Sequence, residues 1–265
     1  MIRLIASDMD GTLLDSACRL PKDLFSVVRA LKRRGVTFCA ASGRQYASLR
    51  EVFGEAADEI TYICENGALI MQGGRPLFLD AIAPQYLPAI IDAGRQIPHI
   101  HAVICRADMA ILEESAPKPF IEATLASYPN VQIVPDLALH THYTDVCKVA
   151  FYDEGDAQTH ELPVLVEKLA DRLAVILSGP HWVDVMKKGV NKGTAMRRLQ
   201  ETLGIAPEEC MAFGDYLNDY ELLESVGESY AMANSHPALL AMAKYTAPSN
   251  DEDGVMRVIR ERFSL

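Results

Sequence analysis

Asp8 and Asp10, in the stretch Asp8-Met9-Asp10-Gly11-Thr12, set two carboxylates two positions apart where the apolar run Ile2 to Ala6 gives out. In an extended segment, side chains at i and i+2 point the same way, roughly 7 Å apart, so the pair can address one ligand. Two like charges that close repel unless one is protonated or a cation lies between them, and Mg²⁺, a hard oxygen-seeking ion, suits the place. Gly11 lets the backbone turn, and the Thr12 hydroxyl can bond locally. The competing reading is a solvated turn, since Asp and Gly serve turns wherever they occur.

Three further stretches bear on the choice. Ser42 in Ala41-Ser42-Gly43-Arg44 offers a hydroxyl, and the amides after it open a helix, an arrangement that cradles phosphate oxygens. Serine is also a routine helix cap. Lys192 in Gly189-Val190-Asn191-Lys192-Gly193 could neutralise charge spread over phosphoryl oxygens, although a single lysine is usually solvated; Lys188 is the next candidate. Asp215 and Asp219, at i and i+4 in Gly214-Asp215-Tyr216-Leu217-Asn218-Asp219, could complete an oxygen site for Mg²⁺ with Asn218 reaching the phosphate, or could simply cap a helix. Arg44 is expected at the substrate entrance, or else in a surface ion pair.

These residues need a scaffold that brings them together. The opening third alternates strands at Ile2 to Ser7, Val36 to Ala41 and Ile60 to Cys64 with helices at Lys22 to Arg34 and Gln45 to Phe53, the rhythm of a parallel α/β sheet. Ala68 to Met71 and Pro76 to Leu79, around Gly73-Gly74, spell a hairpin. Residues 83–187 change pattern. Helices are expected at Pro84 to Gln96, Lys118 to Ser127 and Asp156 to Leu169. Strands are expected at His101 to Cys105, Met109 to Glu113, Val146 to Tyr152, Ala174 to Leu177 and Trp182 to Met186. The sum is an inserted α+β unit with an antiparallel sheet covered on one face. The α/β rhythm then resumes with helices at Lys192 to Leu203, Asp219 to Val226, His236 to Ala243 and Gly254 to Phe263, and strands at Cys210 to Phe213, Tyr230 to Ala233 and Tyr245 to Ala247. In an open parallel sheet, ligands gather at the carboxyl ends of the strands, where Asp8, Ser42 and Asp215 all fall.

At 265 residues and 49% apolar, the chain can bury a sizeable core. A net charge of −11 and a pI near 5.1 disfavour nucleic acid and anionic membrane as partners. No apolar run reaches bilayer length and no signal-peptide pattern precedes Asp8, so the expected compartment is the cytoplasm. Cys18, Cys39, Cys64, Cys105, Cys147 and Cys210 are scattered singly and read as reduced core residues. His99 with His101 and His140 with His142 have strand spacing that could hold a second metal, but polar positions on strands explain them better. Glu113-Glu114 reads as a solvated edge in preference to a contact with substrate hydroxyls.

With these motifs in view, the chain resembles the haloacid dehalogenase superfamily of phosphatases. DMDGT matches its first motif, ASGR its second, GVNKG its third and GDYLND its fourth. The insertion between the second and third motifs, with ENGA and SNDEDGV, is similar to the Cof-type subfamily of small-metabolite phosphatases. The resemblance implies a Rossmann-like core over residues 1–82 and 188–265 and a cap domain over 83–187. It implies that Asp8 attacks phosphorus to form an aspartyl-phosphate while Asp10 protonates the leaving alcohol and then deprotonates water. Asp8, the Asp10 carbonyl and Asp215 would hold Mg²⁺, Asp219 would act from behind them, and Ser42, Gly43, Lys192 and Asn218 would bind the phosphoryl group. Two departures stand out: Ser42 where threonine is frequent, and Tyr216 where glycine is frequent. The expected function is a Mg²⁺-dependent phosphatase of sugar phosphates or similar metabolites, as monomer or homodimer. The rivals are a phosphomutase using the same nucleophile, a phospho-acceptor regulator, which a positioned acid/base at Asp10 argues against, and a binding module without turnover.

Overall fold

The computed structural model describes residues 1–265, apart from the side chains of Ala123, Ala126 and Ser127. It divides into two compact units, one of Met1–Arg44, Leu49–Phe78 and Asn191–Leu265, the other of Gln45–Ser48 and Leu79–Val190. In chain order the elements begin with β1 (Leu4–Ser7), α1 (Leu24–Arg33), β2 (Thr37–Ala41), α2 (Tyr46–Phe53), β3 (Thr61–Cys64), β4 (Leu69–Gln72) and β5 (Arg75–Leu79). The inserted stretch carries α3 (Leu87–Arg95), β6 (Ile100–Arg106), β7 (Ala110–Glu113), α4 (Lys118–Ser127), β8 (Val131–Val134), β9 (Val146–Asp153), α5 (Leu162–Leu169), β10 (Leu173–Gly179) and β11 (Trp182–Lys187). The chain then returns through α6 (Lys192–Leu203), β12 (Cys210–Gly214), α7 (Tyr220–Glu224), β13 (Glu228–Met232), α8 (Pro237–Met242), β14 (Tyr245–Ala247) and α9 (Gly254–Phe263).

The first unit is an eight-stranded sheet in the order β14-β13-β12-β1-β2-β3-β4-β5. Its strands from β14 to β3 run parallel, and β4 turns back antiparallel to β3. Period-2 alternation splits the buried strand residues between two faces. Leu4, Ala6, Cys39, Ala41, Cys210 and Ala212 pack with Met196 and Leu199 of α6, Leu222 and Leu223 of α7 and Leu239 of α8. On α1 the stripe Leu24, Val27, Val28 and Leu31 recurs at helical spacing and is buried, leaving Lys32 and Arg33 in a basic last turn that complements the helix dipole. Asn191 opens α6 with a reciprocal cap: its Oδ1 accepts from the Thr194 amide at 2.7 Å, and its own amide donates to Thr194 Oγ1 at 3.0 Å. That cap sets Lys192 at the first helical position.

The second unit is a six-stranded sheet, β10-β11-β9-β6-β7-β8. One face holds Val149, Phe151, Val183 and Val185 against Leu87, Ile90 and Ile91 of α3 and Leu165 and Leu169 of α5. Three expectations need correction. First, the sheet is not wholly antiparallel: β8 was not foreseen in the sequence, and it pairs parallel to β7 through the α4 crossover. It is a run of only four residues, Val131-Gln132-Ile133-Val134, between Pro129 and Pro135, and only Val134 of it is buried. Second, the other face is partly covered too, because Phe120 of α4 packs on Val103, Cys105 and Ala150. Third, α5 begins at Leu162 instead of Asp156. Pro163 is tolerated only in a first helical turn, and the Asp156 carboxylate accepts from Gln158 and Thr159 to make a turn of the preceding residues. Five cysteines are buried as expected, but Cys18 lies in an exposed turn. Among the described residues, no helix is long and apolar enough to cross a membrane.

Glu161, just before α5, is fully buried, and among the described residues neither of its carboxyl oxygens meets a side-chain hydrogen-bond partner. Burial first, then the charge of Asp153, pushes its pKa up to about 8, with the Val183 backbone opposing. Asp153 is committed elsewhere, to His160 Nδ1 at 2.5 Å and to the Gly155 amide at 2.7 Å. A folded-state pKa raised above the unfolded one gives stability that is complete below the unfolded pKa, near 4.5, and is lost as pH rises through the folded one, near 8. Glu161→Gln should therefore gain roughly 1–3 kcal/mol over wild type at pH 8.5 and little at pH 5, read from thermal melts at both. Equal gains at the two pH values would contradict a buried neutral acid.

Candidate active site

The site is built from the carboxyl ends of β1 and β12. Ser7 pairs with Phe213, and the Asp8 amide extends that ladder by one bond to the Phe213 carbonyl at 3.0 Å. Parallel register therefore carries Asp8 and Asp215 off adjacent strands at the same edge. Lys192, at the start of α6, points its ammonium between two carboxylates: Nζ donates to Asp8 Oδ1 and to Asp219 Oδ1, both at 2.6 Å. All three side chains are buried. The second oxygen of Asp219 accepts from the amides of Asp215 at 3.1 Å and Tyr216 at 3.3 Å. Capping and site-building are thus one act at Asp219.

Asp215 Oδ1 accepts from Thr12 Oγ1 at 2.8 Å, a bond spanning 203 positions of sequence. Gly11 makes this possible. Its φ is +80°, a region L side chains avoid, and a Cβ there would run into the Asp215 carboxylate.

Burial, reinforced by the charge of Asp219, holds the Asp8 carboxyl well above its ordinary range although Lys192 pulls the other way. Burial likewise lifts Asp215 to about 6, against the Thr12 hydrogen bond. For Lys192 burial acts to lower the pKa, but Asp219 and Asp8 outweigh it, so the ammonium is held above its ordinary value. Carboxylate oxygens of Asp8, Asp215 and Asp219 lie within 4.8 Å of one another. Three carboxylates thus face one ammonium, with oxygen donors of the kind a hard divalent cation takes. The donor set fits Mg²⁺.

Not every expected residue joins this cluster. The Asp10 carboxylate is not one of the grouped Asp8, Asp215 and Asp219 oxygens, and the chain turns after Asp8 instead of staying extended: the Leu13 amide bonds back to Asp8 and the Leu14 amide to Met9. The half-exposed Asp10 carboxylate is gripped by Arg44, Nε to Oδ2 at 2.9 Å and Nη2 to Oδ1 at 2.5 Å. Ser42 is buried and its Oγ accepts from the Arg44 amide at 3.1 Å, so it caps its loop as well as lining the edge. Asn218 donates to Asn66 Oδ1 at 3.3 Å. Lys188, the alternative lysine, is spent on the carbonyls of Ala170 and Asp171. Tyr216 is 58% exposed and meets His236 edge-on at 5.8 Å.

Glu113, His101, His140 and His142 have structural partners. Glu113 binds Arg95 and the Leu137 amide, and His101 approaches Glu154 at 3.2 Å. His140 and His142 lie outside any strand, packed around Tyr143. Two residues take roles not read in the sequence: Thr12 is expected there to bond locally, and Asn66 stands only as part of ENGA. The reach of Thr12 to Asp215 has no local signal, whereas Asn66 had one, a polar pair before a glycine at the end of β3.

The family model of haloacid dehalogenase-like hydrolases matches residues 5–259. The chain belongs to this family. It is 30% identical over 264 residues, 97% of this chain and 95% of the relative, to 5-amino-6-(5-phospho-D-ribitylamino)uracil phosphatase YbjI of Escherichia coli (strain K12). It is 34% identical over 249 residues, 91% of this chain and 88% of the relative, to HMP-PP phosphatase of Citrobacter koseri. The crystal structure of SMU.1108c from Streptococcus mutans UA159 superposes with a TM-score of 0.89 at 27% identity, over 100% of both chains. These hydrolases share the Rossmann-like core seen in the first unit, and the chain is a phosphatase of this family.

Lys192 in this haloacid dehalogenase-like hydrolase holds two buried carboxylates together, and that makes a measurable demand. Lys192→Met should lose about 3–5 kcal/mol at pH 7, because breaking a buried pair strands its charges. Adding Asp219→Asn should restore a large part of that loss. Calorimetric unfolding of both variants is the check, and no recovery in the double variant would show that charge is not the cause.

Proposed function

We propose that the chain is a Mg²⁺-dependent phosphatase of small phosphorylated metabolites that works through an aspartyl-phosphate on Asp8. The observation that carries this reading is the Lys192 ammonium seated on Asp8 and Asp219 while Asp215 stands beside them without a cation of its own. Asp8, the Asp10 carbonyl and Asp215 would hold Mg²⁺, which when bound neutralises charge on the phosphoryl oxygens. Asp219 does not need to touch the ion, since both its oxygens are engaged by Lys192 and by two amides. The named relatives support the substrate class, as both are phosphatases of small phosphorylated compounds.

In this reading an Asp8 oxygen attacks phosphorus, the bond from phosphorus to the ester oxygen breaks, and Asp10 supplies the proton to the departing alkoxide. Asp10 then takes a proton from water as that water attacks phosphorus. The bond from Asp8 to phosphorus breaks, orthophosphate leaves and the carboxylate is regenerated. Ser42, Gly43, Lys192 and Asn218 bind the phosphoryl group, and Lys192 compensates the charge spread in the transition state. Arg44 would bind substrate by exchanging its Asp10 partner for the incoming anion, which frees Asp10 for proton transfer. The stretch 83–187 acts as the family's cap domain and carries the residues that select the substrate.

Asp8→Asn should abolish Mg²⁺-dependent hydrolysis of an aryl phosphate; full activity in that variant would sink the mechanism. Asp10→Asn should accumulate phosphoenzyme, seen as one added phosphoryl group in the intact mass. Lys192→Ala should lower kcat by at least about 100-fold. Mg²⁺ should raise the Tm of wild type, since a ligand bound only by the folded state stabilises it, and should leave the Tm of Asp215→Asn nearly unchanged.

A further inference from the structure

β3 ends at Cys64, and the next residues run with positive φ: +49° at Glu65, +52° at Asn66 and +106° at Gly67. Left-handed backbone at two successive non-glycine residues costs free energy, and such strain clusters at functional sites. Here it falls at the carboxyl end of the third parallel strand, the edge that also carries Asp8, Ser42 and Asp215. The strained turn is bolted to the Ser42 loop. The Glu65 amide donates to the Arg44 carbonyl and the Asn66 amide to the Ser42 carbonyl, both at 3.1 Å.

What this backbone delivers is the Asn66 carboxamide. The residue is 8% exposed, and its amide lies flat on Gly43, where a Cβ would stand 3.1 Å from Oδ1 and 3.2 Å from Nδ2. Its Oδ1 accepts from Asn218 Nδ2 at 3.3 Å. Its own Nδ2 donates to no protein acceptor among the described residues. A turn alone would be better served by glycine, which adopts this φ without strain.

We propose that Asn66 is a further residue of the phosphoryl cradle: Oδ1 fixes the Asn218 amide, and Nδ2 donates to a phosphoryl oxygen between Ser42 and Asn218. The proposal rests on the phosphatase reading. A neutral amide suits the place, because it gives a hydrogen bond to an anion without adding a titrating group to a site already holding three carboxylates. Asparagine is also among the non-glycine residues best able to occupy left-handed backbone.

The test compares Asn66→Gly, which removes the carboxamide while relieving the strain, with Asn66→Asp, which keeps the shape and turns the donor into a charge. With p-nitrophenyl phosphate and Mg²⁺, Asn66→Gly should lose about 10- to 100-fold in kcat/KM, the scale of one hydrogen bond to a charged group. The inhibition constant for inorganic phosphate should rise in parallel while Tm holds or increases. Asn66→Asp should lose more. An Asn66→Gly enzyme within about twofold of wild type in both constants would overturn the proposal and leave Asn66 a turn residue. If wild type fails to hydrolyse the ester, the phosphatase reading falls, and calorimetric binding of inorganic phosphate still decides on Asn66. Binding lost in Asn66→Gly supports its role, and equal binding overturns it.

Discussion

The arrangement turns on one buried ammonium. Lys192 stands between Asp8 and Asp219 with hydrogen bonds of 2.6 Å to each, and none of the three side chains has appreciable access to water. Charges placed there without partners would neutralise themselves or unfold the edge of the sheet. The ammonium is itself held by folding, because the Asn191 cap sets its place at the head of α6 and the apolar stripe of α6 sets the direction of that helix. A single side chain thereby couples the edge at β1, the helix before β12 and the turn after it.

Around that contact the same edge uses backbone strain and tight packing where a looser protein would use longer side chains. Gly11 turns at positive φ so that Thr12 can hold Asp215, and Glu65 and Asn66 take left-handed backbone so that their amides can brace the Ser42 loop. These conformations persist because the parallel strands beneath are over-determined by packing on both faces. The excess of carboxylate over cation, with Asp8 and Asp215 both titrating high, is a charge imbalance that folding alone gains nothing from.

The inserted unit follows a different logic. Its sheet is mixed, its helices pack on both faces, and its ionisable groups are mostly paired locally, as in the buried Lys148 and Asp184 at 3.2 Å. Glu161 is different, a carboxyl inside the unit whose pKa burial pushes up to about 8.

Most of the elements could be read in the sequence, because strong periodicity and caps are local signals: α6 and α9 fall at the expected residues, and the βα rhythm determined a parallel core. The motif residues after each strand could be read for the same reason, since parallel topology sends them to one edge whatever their separation. Where the sequence misled, a local pattern lost to something it could not contain. The strand β8 is a four-residue run between Pro129 and Pro135 that went unread, and α5 yields its expected start to Pro163 and to the side chain of Asp156. Asp8 and Asp10 look like one extended pair in sequence, yet the chain turns after Asp8, and the Asp8 carboxylate meets Lys192 while the Asp10 carboxylate meets Arg44. Residue types and their order determined which groups could meet. Which of them do meet, Thr12 with Asp215, Lys192 with Asp8 and Asp219, Asn66 with Asn218, only the tertiary structure decided, because register and burial between strands far apart in sequence set those distances.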